Sequence, residues 1–151
     1  MTDMNNLEEI LDYAIAMEQA AVDLYTKIAE NAYTEHNRQM FQSLAQEERG
    51  HKAKLMKVKL GKIEIGSTDK VQDLKISDYA NDVEITDNSS YQDILMFAMK
   101  QEKQAFRLYT DLAERADDSS IKELFLALAH EEANHKLRFE IEYDDNVLRE
   151  N

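Results

Sequence analysis

Six side chains can do chemistry together in this sequence: Glu18, Glu48, His51, Glu102, Glu132 and His135. Glu48-Arg49-Gly50-His51 and Glu132-Ala133-Asn134-His135 are two copies of Glu-x-x-His. Residues three apart share one face of a helix, so each copy can offer a carboxylate and an imidazole to a single metal ion. One copy is weak evidence, because an exposed i,i+3 pair reads the same way. The spacing adds the information. Glu48 and Glu132 are 84 residues apart, and so are His51 and His135, Glu18 and Glu102, and Tyr25 and Tyr109. The pattern predicts two copies of a helix pair, each bringing one Glu and one Glu-x-x-His to a common centre.

The elements that must position these groups follow from apolar periodicity. A first helix reads inward as Leu7, Leu11, Ala14, Glu18, Ala21, Tyr25 and Ile28, capped at Asn5 or Asn6 with Glu8 or Glu9 behind. After a turn at Asn31–Thr34, a second helix over about 35–60 carries Phe41, Leu44, Glu48, His51, Leu55 and Val58, and Gly61 stops it. A third begins at Asn88-Ser89-Ser90, with Gln92 or Asp93 behind to complete the cap, and carries Tyr91, Leu95, Ala98, Glu102, Ala105, Tyr109, Leu112 and Ala116. A fourth follows Asp117-Asp118-Ser119-Ser120, with Ser120 and Glu123 as its capping box. It carries Ile121, Phe125, Leu128, Glu132, His135 and Phe139. The tail from Asp144 is expected to fray. Residues 61–89 form a crossover between the halves. Gly66 and Ser67-Thr68-Asp69 break its pattern, and Leu74, Ile76, Tyr79, Val83 and Ile85 are available to pack it on the outside.

Bulk properties agree with an all-α chain. There is no Pro, only three Gly, and 43% of the residues are hydrophobic. At 151 residues the whole chain, 1–151, reads as one domain, with helix pairs at about 6–60 and 90–148. The net charge of −13 argues against nucleic acid and anionic membranes as partners and suits small cations. With no Cys there is no disulfide framework and no thiolate-held metal. The N-terminus lacks a signal-peptide pattern and no stretch approaches a bilayer span, so a cytoplasmic location is expected.

Polar groups on apolar seams need a compensating charge. Taking a carboxylate out of water costs several kcal/mol even after relaxation, and four near one another repel. Two divalent cations would offset four carboxylates, with two neutral imidazoles completing six protein ligands. Oxygen-rich sets with one imidazole per ion suit iron or manganese, whereas zinc favours four ligands and more nitrogen or sulfur. Tyr25 and Tyr109 lie two turns beyond Glu18 and Glu102 on the same faces, where core packing and a hydrogen bond to a site carboxylate are both open. His36 and His130 fall off the seams, Glu47 and Glu131 point elsewhere, and Met17, Met40, Met96 and Met99 read as core fillers.

The segments Ala16-Met17-Glu18-Gln19-Ala20-Ala21, Glu47-Glu48-Arg49-Gly50-His51, Gln101-Glu102-Lys103-Gln104-Ala105 and Glu131-Glu132-Ala133-Asn134-His135 resemble the rubrerythrin branch of the ferritin-like superfamily. That resemblance implies a ferritin-like four-helix bundle of two pseudo-symmetric helix pairs with a long crossover, and two iron ions, with manganese or a mixed pair as the variant. It also implies a non-haem oxidoreductase that reduces hydrogen peroxide, or dioxygen, to water, with a place in oxidative-stress defence. On this reading Glu48 and Glu132 bridge, Glu18 and Glu102 are terminal, His51 and His135 take one ion each, and Tyr25 or Tyr109 donates a hydrogen bond or proton. Two departures stand out. Full-length rubrerythrins carry a four-Cys rubredoxin-like domain, so a chain without Cys needs an external electron donor such as a rubredoxin. Their extra Glu, three residues after the third-helix ligand, is Ala105 here, with Ala21 as its mate. Four carboxylates rather than five are closer to a ferroxidase-type set, which makes ferrous iron the alternative substrate. A non-enzymatic metal or redox sensor or adaptor is the reading from a different class. A homodimer is expected, as among relatives.

Overall fold

The computed structural model describes residues 3–61 and 74–146. Among them it is all-α, without a strand. The elements are α1 (Asp3–Glu30), α2 (Glu35–Lys59), a 3-10 turn at Ile76–Tyr79, α3 (Tyr91–Glu114) and α4 (Ser119–Asn146). Contacts divide the chain into two compact units, Met1–Gln72 and Asp73–Asn151. In the first, α1 packs along α2; in the second, α3 packs along α4.

In the first unit the turn is built by short polar side chains. Asn31 Nδ2 donates to the Lys27 carbonyl at 2.9 Å, and Thr34 caps α2 by accepting from the Asn37 N–H at 3.1 Å. So short a connection forces α2 to double back. Lys59 pairs with Asp12 at 2.5 Å, and Lys52 Nζ donates to Gln19 Oε1 at 2.7 Å, which fixes the antiparallel register. The predicted seam of α2 is buried throughout. That of α1 is buried except at Ile28, and Ile10, Met17, Val22 and Ala29 widen it. Each large apolar side chain removed from water contributes roughly 1.5–3 kcal/mol. The helix stops where predicted. Gly61 takes a φ of 74°, a left-handed conformation that any side chain would strain.

In the second unit part of the crossover is fastened to α3. Leu74 and Tyr79 are buried, while Ile76, Val83 and Ile85 are half-buried. Tyr79 donates to Asp111 Oδ2 at 2.6 Å, and Gln104 Nε2 donates to the Ala80 carbonyl at 2.9 Å. Asn81 Nδ2 donates to the Phe97 carbonyl and to Gln101 Oε1, each at 3.1 Å. The Arg107 guanidinium lies 5.8 Å above the Tyr79 ring. The expected breaks at Gly66 and Ser67–Asp69 fall outside the described residues. Ser90 and Asp93 form a reciprocal capping box at the start of α3, as the sequence predicts, with bonds of 3.1 and 3.3 Å.

Several local expectations are corrected. Asp118, not Ser120, caps α4: its Oδ1 accepts the N–H groups of Ser120 at 2.8 Å and Ile121 at 3.1 Å. A carboxylate accepting two N–H donors at the positive end of a helix outcompetes a hydroxyl. α1 starts at Asp3, so Asn5 and Asn6 lie inside it rather than capping it. α4 runs on to Asn146, past the expected fraying point at Asp144. Met96 is 42% exposed and fills no core, whereas Met17 is buried. The α4 seam also extends one step beyond Phe139. Glu142 is buried there and accepts a hydrogen bond from Tyr91 at 3.0 Å. Burial first, and then the charge and hydrogen bond of Glu142, hold the Tyr91 phenol well above its usual range. No helix among the described residues is long and apolar enough to cross a membrane.

Replacing Asp118 by Ala is expected to cost about 1 kcal/mol, against under about 0.5 kcal/mol for Ser120→Ala, in urea denaturation. Because the folded state raises the Tyr91 phenol, its contribution is intact at neutral pH. That contribution declines as pH climbs past the unfolded value of about 10. Stability measured from about pH 9 to 11 should therefore fall less steeply in Tyr91→Phe than in wild type.

Candidate metal centre

The two Glu-x-x-His copies sit within α2 and α4, and the two further glutamates within α1 and α3. In the first unit, His51 Nδ1 lies 3.6 Å from Glu18 Oε2 and 3.8 Å from Glu48 Oε2. In the second, His135 Nδ1 lies 3.8 Å from Glu102 Oε2 and 3.9 Å from Glu132 Oε1. All six residues are at most 2% exposed. Glu18 Oε2, Glu48 Oε1, His51 Nδ1, Glu102 Oε2, Glu132 Oε1 and His135 Nδ1 are sealed from solvent. The same triplet is thus built twice, each time from one residue of the first helix and two of the second.

The donor chemistry fits a metal. These separations are too long for good hydrogen bonds. Two ligand atoms on one first-row ion, with bonds of about 2.1 Å, lie up to about 4.2 Å apart. In each triplet one ligand atom per residue falls within 4.8 Å of the others. Two carboxylates and a neutral imidazole carry a charge that one divalent cation cancels, which offsets their desolvation. Hard oxygen donors with one nitrogen suit iron or manganese.

The surroundings of the triplets are apolar and tight. One turn beyond Glu18 and Glu102, Ala21 and Ala105 are buried, so a methyl group occupies the place of a fifth carboxylate. Tyr25 and Tyr109 are fully buried. Tyr25 packs on Phe41 with ring centroids 6.1 Å apart, and Tyr109 on Phe125 at 6.4 Å. The two tyrosines stand seven residues, about 10.5 Å of helix axis, beyond Glu18 and Glu102. His36 and His130 are exposed, and Glu47 and Glu131 are half-buried, off the seams as expected.

Two buried polar residues are not signalled by the seams as drawn. Glu142 stands seven residues after His135, and extending the seam by one step would have found it. Gln104 is 5% exposed and donates to the Ala80 carbonyl of the crossover, a contact that nothing in α3 alone signals.

A model of the family described as Rubrerythrin matches residues 9–85 and 93–151. The chain belongs to the rubrerythrin family. Its fold class is all-α and ferritin-like. A solved structure of a hypothetical protein from Pyrococcus furiosus is similar, with a TM-score of 0.68 and 26% identity over 91% of this chain and 88% of that one. No functionally curated protein matches the chain. Rubrerythrin membership and the buried Glu/His triplets together make this a candidate di-metal protein of oxidoreductase type.

Replacing one carboxylate by its neutral isostere, as in Glu132→Gln, should have opposite effects with and without metal. The metal-free protein should gain about 1–3 kcal/mol in urea denaturation, because a buried charge is gone. Metal bound after anaerobic loading, measured by elemental analysis, should fall.

Proposed function

We propose that each triplet holds one redox-active divalent ion, two per chain. Iron is the first choice, with manganese or a mixed pair as the variant. We propose further that the protein reduces hydrogen peroxide, or dioxygen, to water with electrons from an external donor such as a rubredoxin. The observation that carries this reading is the repeated Glu/Glu/His set, buried in both units with matching spacings of 3.6–3.9 Å. Rubrerythrin membership supports it.

When bound, the two ions supply the two electrons that splitting one O–O bond consumes. The chain's residues do the rest. Glu18, Glu48, Glu102 and Glu132 neutralise the ions. His51 and His135 remain neutral, since a protonated imidazole has no lone pair to give. The apolar wall of Ala21, Ala105 and the buried aromatic pairs keeps bulk water away and so strengthens each charge interaction. Tyr25 and Tyr109, buried two turns along the same helices, are the residues proposed to lend a hydrogen bond or proton.

One observation favours a second reading. The methyl groups of Ala21 and Ala105 leave four carboxylates, which suits ferrous iron as substrate rather than resident cofactor. Steady-state assay of iron-loaded protein with a reduced donor separates the two. Sustained peroxide consumption without loss of iron is the expected result. Stoichiometric release of ferric iron would instead establish the ferroxidase reading. Glu102→Ala and His135→Ala should lower metal content and peroxide turnover together, by about 100-fold in turnover. Full function in the metal-depleted variants would point to a sensor or adaptor.

A further inference from the structure

Residues 49–63 carry six of the chain's 18 Lys and Arg and no Asp or Glu, in a protein of net charge −13. In the structure this stretch begins as the second half of α2, and its solvent face is not simply polar. Ala53, Met56 and Leu60 follow one another at three- and four-residue steps, which places them on one ridge. All three are exposed, Met56 at 38% and Leu60 at 63%. By helical phase, Arg49 continues the ridge and Lys52 and Lys57 flank it.

Two ordinary explanations fall short. Cations in the last turn of a helix complement its dipole, but that effect reaches only Lys57 and Lys59. It accounts neither for Arg49 and Lys54 nor for the exposed apolar side chains, while Lys52 is engaged with Gln19 of α1. The fold does not require the ridge either. At the 84-residue offset, Met56 and Leu60 correspond to Glu140 and Asp144 of α4.

We propose that this ridge is the docking surface for an acidic redox protein, the external electron donor of the function proposed above, on which this inference rests. Cations around a small apolar centre complement an acidic patch and steer it across an otherwise repulsive surface. Two large exposed apolar side chains, Met56 and Leu60, suit a transient encounter, as repeated one-electron delivery requires. They are too few to hold a membrane surface. Two donor molecules, each oxidised by one electron, balance the reduction of one peroxide and two protons to two waters.

The test uses a rubredoxin as the acidic one-electron carrier. Its oxidised form is titrated calorimetrically into the metal-free protein at about 20 and 200 mM salt. Wild type should bind, and at least about 10-fold more weakly at the higher salt. Lys57→Glu with Met56→Ser should weaken low-salt binding by about 10-fold or more. In iron-loaded protein the same double variant should slow reduction by the carrier while leaving reduction by dithionite unchanged. No binding by wild type, equal binding by the variant, or equal slowing with dithionite would overturn the proposal. So would preferential binding to phosphatidylserine vesicles, or loss of a wild-type self-association in the variant. Intact docking without peroxide turnover would sink the proposed reaction alone and leave the docking surface standing.

Discussion

Two carboxylates and an imidazole sit in the middle of an apolar seam in each unit, and this constraint governs the rest of the structure. The groups are at most 2% exposed, so water does not solvate them. Their cost is met only if the helices around them are held in fixed register and a cation is drawn in. Long uninterrupted helices do the first. The spacing of the donors, 3.6–3.9 Å in both units, does the second. Apolar packing therefore serves less to exclude polar groups than to hold six of them where a metal can use them.

The internal repeat separates what the candidate site keeps from what the rest of the fold varies. The triplets, the tyrosines behind them and the phenylalanines against those tyrosines recur at the same offset. Away from the site the halves diverge. Leu7 and Val58 of the first unit, both buried and apolar, correspond to Tyr91 and Glu142 of the second, which share a part-buried hydrogen bond. Ala20 corresponds to Gln104, which holds the crossover by the Ala80 carbonyl. The end of α2 is basic where that of α4 is acidic. A chain that keeps one set of positions and varies the others assigns the kept set to chemistry and leaves the rest for packing and partners.

Much of the fold and of the site is legible in residue order alone. Seam residues such as Phe41, Leu44, Leu55, Phe125 and Leu128 are buried as their period requires, because helical phase decides which face a residue presents. Local competition is harder to read. Asp118 and Ser120 are both good caps, and the choice depends on the backbone geometry that delivers two N–H groups to one carboxylate. Met96 shows the opposite failure: an apolar type on a helix that offers it no covering neighbour.

Residue type and spacing along one chain were enough to define the four helices, the stop at Gly61, and a doubled set of four Glu and two His as the candidate metal ligands. Which buried polar groups belong together was settled at the tertiary level. Whether Glu18 meets His51, or Glu102 meets His135, depends on the antiparallel register of two helices. That register is set by contacts such as Lys59 with Asp12 and Tyr91 with Glu142, between residues distant in sequence. Periodicity is a property of one helix, whereas proximity is a property of the pair.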